Sequence, residues 1–97
     1  MNIKIQSVHF DADKKLLEFV QEKVGKLNHY HDKIVNSDVI LRLEKSGTME
    51  NKVAEIKCHV PGMELFAKKQ SKSFEASTDS ALEALRNQIK KHKMKHR

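Results

Sequence analysis

Hydrophobic and polar positions alternate with a period of two in four segments of the chain, a pattern typical of half-buried strands. The inward positions of these segments are Ile3 and Ile5; Val39, Leu41 and Leu43; Ala54, Ile56, Cys58 and Val60; and Met63, Leu65 and Ala67. The pair Pro61-Gly62 separates the last two segments as a turn. The sequence therefore predicts one strand at the start and a later three-stranded meander that begins near Asp38.

The segment KKLLEFVQEKVGKLNHY has instead the period of a helix, because its apolar residues recur at spacings of four, four and three. These residues are Leu16, Val20, Val24 and Leu27. Asp13 precedes the segment and can accept a hydrogen bond from the free amides of the first turn. We expect the helix to continue past Gly25, at a cost of about 1 kcal/mol relative to alanine. His29 and His31, on either side of Tyr30, indicate a polar helix exit.

A second helical pattern closes the chain. Its core stripe consists of Phe74, Thr78, Leu82, Leu85 and Ile89. Ser73 is the candidate N-cap, and Glu75 and Asp79 lie toward the positive end of the helix dipole. A helix that continues to Arg97 would be about 36 Å long, whereas a domain of this size has a radius of gyration of about 12–13 Å. We therefore expect its last turns to pass the edge of the sheet.

The charge is concentrated at the same end. The chain has 97 residues, a one-domain length, and a formal net charge of +6. All 13 acidic residues lie before position 84, where 13 of the 19 lysines and arginines balance them. The remaining six are Arg86, Lys90, Lys91, Lys93, Lys95 and Arg97. Such a localised positive field favours a polyanionic partner, with nucleic acid preferred to a membrane surface.

Helical spacing divides these cations into two rows. Arg86, Lys90, Lys93 and Arg97 recur at spacings of four, three and four and lie within about 60° of one another on the helix wheel. Lys91 and Lys95 form a second row. The two rows can contact phosphates on either side of an RNA groove or at an RNA junction. The alternative is a solvated basic helix end that complements the negative end of the helix dipole.

No residue pattern supports catalysis or a cofactor. His92 and His96 have an i, i+4 spacing that can hold a metal, but they extend the line of Leu85 and Ile89, so we interpret them as packing residues and expect no metal site. The single cysteine, Cys58, lies on the apolar phase of its strand and is expected to be buried rather than nucleophilic. We predict no enzyme and no small-molecule substrate.

The N-terminus MNIKIQSV lacks the apolar core of a secretory signal, and the longest strictly aliphatic run, Val39-Ile40-Leu41, is far too short for a membrane span. We therefore expect a cytoplasmic protein without a membrane partner.

Three stretches together resemble a known family. FDADKKLLEFVQEKVGKLNHYHDKI, then DVILRLEK, then AEIKCHVPGMELFAKKQSKSFEASTDSALEALRNQIKKHKMK are similar to the bacterial ribosome hibernation-promoting factor and ribosome-associated inhibitor family. The resemblance covers nearly the whole chain. It implies an α+β domain of order β-α-β-β-β-α, a four-stranded sheet with two helices packed on one face, similar to a double-stranded-RNA-binding domain with an extra first strand.

The resemblance also implies a function. Members of the family bind the small ribosomal subunit and its ribosomal RNA between head and body, where they overlap the positions of messenger RNA and tRNA and block translation during slow growth or stress. We expect residues 1–97 to form a single ribosome-binding domain of the short type, without a C-terminal dimerisation domain and monomeric when free.

The basic positions of the family match Lys23 and Lys26 on the first helix and Lys91, His92, Lys93 and Lys95 on the last. The family often has arginine immediately before the glutamine matched by Gln88. Here Asn87 takes that place, and Arg86 lies one residue earlier. With Arg86, Lys90 and Arg97 from the charged ridge, the matched positions are the predicted RNA-contact residues.

Other interpretations stay open at this stage. Lys23 and Lys26 also suit a solvated helix flank, with Glu22 able to pair with Lys26. The charge pattern also fits a general double-stranded-RNA-binding domain, or a protein-interaction module that docks an acidic partner.

Overall fold

The computed structural model describes residues 1–45 and 47–95, with the side chains of residues 93–95 outside the description. The elements follow in the order β-α-β-β-β-α, which confirms the predicted fold class. Their bounds are β1 Asn2–Val8, α1 Lys14–Gly25, β2 Asn36–Leu43, β3 Lys52–Val60, β4 Met63–Ser71 and α2 Phe74–Lys95.

The four strands form one sheet in the order β1-β2-β3-β4. Strand β1 pairs with β2 in parallel, because α1 carries the chain back across the sheet between them, whereas β2-β3 and β3-β4 are antiparallel. The β3-β4 turn is two residues long, and Gly62 adopts a positive φ of 87° there, which glycine does at little steric cost. The predicted meander is thus confirmed, with β2 beginning at Asn36 rather than near Asp38.

Both helices pack on one face of this sheet. Two rows of register partners cross that face, Ile5-Val39-Ile56-Ala67 and Ile3-Ser37-Cys58-Leu65. Helix α1 packs its buried residues Leu16, Val20 and Val24 in the same core as Leu85 and Ile89 of α2. The two helical stripes read from the sequence therefore meet in a single hydrophobic core.

The predicted caps hold the start of each helix. Asp13 accepts a hydrogen bond from the Leu16 amide at 2.8 Å, and Ser73 accepts one from the Ala76 amide at 3.1 Å. Each bond satisfies a backbone donor that the first turn of a helix leaves free. Helix α2 then runs for 22 residues, about 33 Å, in a domain whose extents are 45 × 24 × 18 Å.

The structure corrects three details of the sequence interpretation. The α-helix ends at Gly25, and a short 3-10 helix, Lys26–His29, continues it with Leu27 still buried. Met63 was predicted to face inward but is 40% exposed, because it is the first residue of β4, beside the turn at the end of the sheet. His31 is buried rather than part of a polar exit, and its Nδ1 accepts a hydrogen bond from the Lys33 amide.

Cys58 is fully buried in the sheet, as predicted, with its Sγ 3.1 Å from the Ser37 hydroxyl oxygen. Burial raises the pKa of the Cys58 thiol above its ordinary value of 9.0, the hydrogen bond between Cys58 and Ser37 opposes this change, and the Asp38 carboxylate adds to it. A thiol that is protonated and enclosed is a poor nucleophile.

We expect Leu85→Ala to lower the free energy of unfolding by about 2–5 kcal/mol, because it leaves a cavity where both helices meet the sheet. Leu17→Ala removes the same atoms from a position that is 37% exposed, so it should cost much less. Urea unfolding of both variants measures the difference. Equal losses would contradict the central place of Leu85 in the core.

We expect the stability advantage of the wild type over Cys58→Ala to shrink as the pH rises above 9. The folded state keeps its thiol proton where the unfolded chain has lost it, so ionisation favours unfolding, by at most about 1.4 kcal/mol per pH unit. The wild type should keep its full stability advantage at pH values below the pKa that the Cys58 thiol has in the unfolded chain. Urea unfolding of both proteins at pH 7, 9 and 10 measures it, and a constant gap would contradict the raised pKa.

Candidate nucleic-acid interface

Helix α2 is tied to edge strand β4 near its start by Ser77, whose hydroxyl oxygen is 2.8 Å from that of Ser71, and further along by Gln88. The Gln88 amide donates to the Phe66 carbonyl at 2.7 Å and accepts from the Phe66 amide at 3.2 Å. Strand β4 is an edge strand, so these backbone groups face away from β3 and lack a ladder partner. Gln88 satisfies both backbone groups of Phe66, as a neighbouring strand would. These bonds determine which flank of α2 faces β4.

The opposite flank of α2 faces α1. Arg86 lies about 200° round the helix from Gln88, and its guanidinium carbon is 5.7 Å from the centroid of the Tyr30 ring, over the ring. Lys90, four residues on, continues this flank, whereas Lys91, three residues after Gln88, continues the β4 flank. The two basic rows predicted from the sequence therefore begin on opposite sides of α2.

Arg86 and two lysines of the first helical segment line one groove between the helices, which we call the interhelical groove. The charged and aromatic residues that line it are Lys23, Lys26, Tyr30, Asp79, Glu83 and Arg86. The structure thus brings Lys23, Lys26 and Arg86 together from distant parts of the sequence. The groove also contains two carboxylates, so its charge is mixed rather than uniformly positive.

The lysines of the groove remain accessible. Lys26 pairs with Glu22 at 3.9 Å, but both side chains are more than half exposed, so the pair is worth little and leaves the lysine available. The Lys23 ammonium lies 5.5 Å from the centroid of the Phe19 ring, over it. The ion pair between Glu22 and Lys26 that the sequence suggested is therefore present. It leaves both Lys23 and Lys26 at the surface.

The remaining predicted residues lie along the later turns of α2. Lys90 and Lys91 are exposed, and His92 is half-buried with its ring stacked on His31 at 6.0 Å between centroids. This contact agrees with a packing role for His92. Lys93 and Lys95 belong to α2, but their side chains lie outside the described part of the structure, and Arg97 lies outside the described residues altogether, as does His96.

The other face of the sheet carries charges that are paired by register. One row of partners across it is Lys4-Asp38-Lys57-Phe66 and the next is Gln6-Ile40-Glu55-Lys68. Arg42 also lies on this face, and its Nη1 atom is 2.6 Å from Glu55 Oε2 and 3.8 Å from Glu44 Oε1. Opposite signs alternate across this open sheet face, whereas residues 86–97 contain six basic and no acidic residues.

The sequence interpretation missed Tyr30, Phe19 and Gln88 as parts of the site. A signal for two of them is present in the sequence, since Phe19, Lys23, Lys26 and Tyr30 recur at spacings of four, three and four and place two basic side chains between two aromatic ones along one flank. No local sequence pattern predicts the role of Gln88, because its partner Phe66 lies 22 residues away on another element.

Within residues 1–45 and 47–95, no cluster of three or more His, Cys, Asp or Glu side chains is arranged to hold a metal ion. No helix in the same part of the chain combines the length and the apolar character that a bilayer crossing demands.

Known proteins match almost the whole chain. The sequence model of the family described as Sigma 54 modulation protein / S30EA ribosomal protein matches residues 3–97. A protein from Pseudomonas putida named ribosome hibernation promoting factor is 33% identical over 95 residues, which cover 98% of this chain and 89% of the relative. A protein of the same name from Escherichia coli K12 is 30% identical over 95 residues, covering 98% and 96%.

The fold has solved counterparts as well. The structure of a ribosomal subunit interface protein from Coxiella burnetii superposes with a TM-score of 0.86 at 22% identity, over 97% of this chain and 99% of the other. The family resemblance carried by the sequence motifs and the fold that it implied are both confirmed.

Proposed function

The chain belongs to the Sigma 54 modulation protein / S30EA ribosomal protein family, and we propose that it is a ribosome hibernation factor that binds the small ribosomal subunit. Its relatives named ribosome hibernation promoting factor support the ribosome as its partner. Membership in this family also agrees with a protein that is not an enzyme. We propose that it occupies the positions of messenger RNA and tRNA and so blocks translation during slow growth or stress.

The observation that carries this proposal is the set of cations on α2 that no carboxylate neutralises. Arg86, Lys90 and Lys91 form no ion pair with any other described residue, and no acidic residue follows Glu83 in the chain. Ribosomal RNA is a dense polyanion, and each phosphate that such a cation neutralises releases condensed counterions. The free energy of binding then comes from surface charge and shape.

The position of the two basic rows supports contact with structured RNA. Arg86 and Lys90 lie toward α1, and Lys91 lies toward β4, so α2 presents cations on two flanks at once. A helix of this kind can lie between two phosphate backbones, as at an RNA junction. We propose that Lys23, Lys26, His92, Lys93, Lys95 and Arg97 complete this RNA-binding surface.

The proposed mechanism is steric. A single folded domain seated between the head and body of the subunit excludes messenger RNA and tRNA by occupying their space, and it works without a cofactor, a metal or a small-molecule substrate. We expect a monomer in the cytoplasm when it is not bound to ribosomes.

The first test is sedimentation. We expect the protein to co-sediment with isolated small subunits and with whole ribosomes at moderate salt, and to bind them more tightly than it binds a free RNA duplex of about 16 base pairs at matched salt. Equal affinity for duplex and subunit would favour a general double-stranded-RNA-binding domain. Folded protein that stays at the top of the gradient would exclude the ribosome as its partner.

The second test neutralises the basic ridge. We expect Lys90→Gln, Lys93→Gln and Arg97→Gln together to weaken subunit binding and to reduce the slope of log K against log salt by about 2, because fewer counterions are released. The matched control is Lys4→Gln, Lys57→Gln and Lys68→Gln, which makes the same change in net charge on the open sheet face.

The control variant distinguishes contacts made locally by the basic ridge from a general attraction between RNA and the net positive charge of the protein. If the ridge carries the contacts, the control variant should bind with nearly the wild-type salt dependence. Equal losses in both triple variants would mean that net charge alone attracts the RNA, and retained affinity in the ridge variant would move the interface to another surface.

A further inference from the structure

The two described arginines are held in opposite ways. Arg42 lies on the open sheet face within ion-pair distance of Glu44 and Glu55, so its charge is balanced. Arg86 is within ion-pair distance of no carboxylate among the described residues, and its guanidinium is placed over an aromatic ring instead. The protein therefore fixes Arg86 in position without neutralising it.

A ring is a suitable support for an arginine that binds an anion. The π-face of tyrosine attracts the cation without the N–H···O hydrogen bonds through which a carboxylate would engage the guanidinium donors. Those donors match the oxygens of a phosphate in a bidentate arrangement. A carboxylate support would use the same donors that a phosphate needs, whereas the Tyr30 ring leaves them available.

The surroundings define where a phosphate can bind. Lys23 and Lys26 line the same interhelical groove as Arg86 and Tyr30. Asp79 and Glu83 lie seven and three residues before Arg86, about 10 Å and 4.5 Å along the helix axis. Their negative charge opposes a phosphate at that end of the groove, so an anion is favoured at the Arg86 end.

We propose that Tyr30 is a positioning residue for RNA binding: its ring holds the Arg86 guanidinium at one end of the interhelical groove, where Arg86 binds a phosphate of the RNA backbone. This inference rests on the proposed function and adds to it a residue that carries no charge. Tyr30 is 41% exposed, so replacing it changes a surface contact rather than the core.

The test is a double-mutant cycle on small-subunit binding, with Tyr30→Phe, Tyr30→Leu, Arg86→Gln and the double variant. Tyr30→Phe keeps the ring and should bind like the wild type. Tyr30→Leu should weaken binding about 2- to 5-fold, the range of an exposed cation–π contact, and should keep the wild-type salt slope because no charge is lost. In the Arg86→Gln background, Tyr30→Leu should have no further effect.

Two more variants make the result specific. Arg86→Lys keeps the charge but loses the planar fork that can bind a phosphate through two N–H donors, so it should weaken binding by itself. Phe66→Leu removes a ring of similar exposure from the open sheet face but keeps the backbone N–H and C=O that bond to Gln88, so it should leave binding unchanged. In the free protein, NMR relaxation of the Arg86 Nε–Hε group should show greater mobility in Tyr30→Leu and unchanged mobility in Phe66→Leu.

Three results would overturn the inference: wild-type affinity in Tyr30→Leu, equal weakening by Tyr30→Leu with and without Arg86, or a loss in Tyr30→Phe as large as in Tyr30→Leu. Each leaves the proposed function intact if the wild type binds subunits. If the wild type fails to bind subunits, the proposed function is wrong, and the same cycle on an RNA duplex of about 16 base pairs decides the role of Tyr30.

Discussion

The two hydrogen bonds between Gln88 and the Phe66 backbone, together with the burial of Leu85 and Ile89, fix the rotation of α2 about its own axis. Each residue of an α-helix turns its side chain by about 100°. With Gln88 held on β4, Arg86 must face α1. A side chain at position 87 projects about 100° away from this direction, so it is Arg86 and not Asn87 that lines the interhelical groove.

The distribution of charge follows from the same packing. Register across the open sheet face brings each lysine beside a carboxylate, as with Lys4 and Asp38 or Lys68 and Glu55. Helix α2 has no acidic residue after Glu83, and Arg86, Lys90 and Lys91 form no ion pair with any other described residue. The positive charges that no carboxylate balances therefore lie on the second half of α2.

Periodicity was sufficient to predict the strands, both helices and their caps, because each of these depends on residues close in sequence. It also placed Leu85, Ile89 and Cys58 in the core. The interhelical groove was not predictable in this way, since Tyr30 and Arg86 meet only when α1 and α2 pack side by side. The end of α1 at Gly25 also escaped the pattern, because Leu27 stays buried whether the backbone is α-helical or 3-10.

The parallel pairing of β1 with β2 also bears on how the chain folds. Strands β2, β3 and β4 and helix α2 follow one another through short connections, whereas β1 joins its partner across the whole of α1, and such distant pairings form more slowly. Assembly is then expected to begin in the C-terminal two thirds of the chain. The groove requires α1 beside α2, so only a molecule that has finished folding presents it, and partly folded chains would lack this part of the surface with which to engage a ribosome.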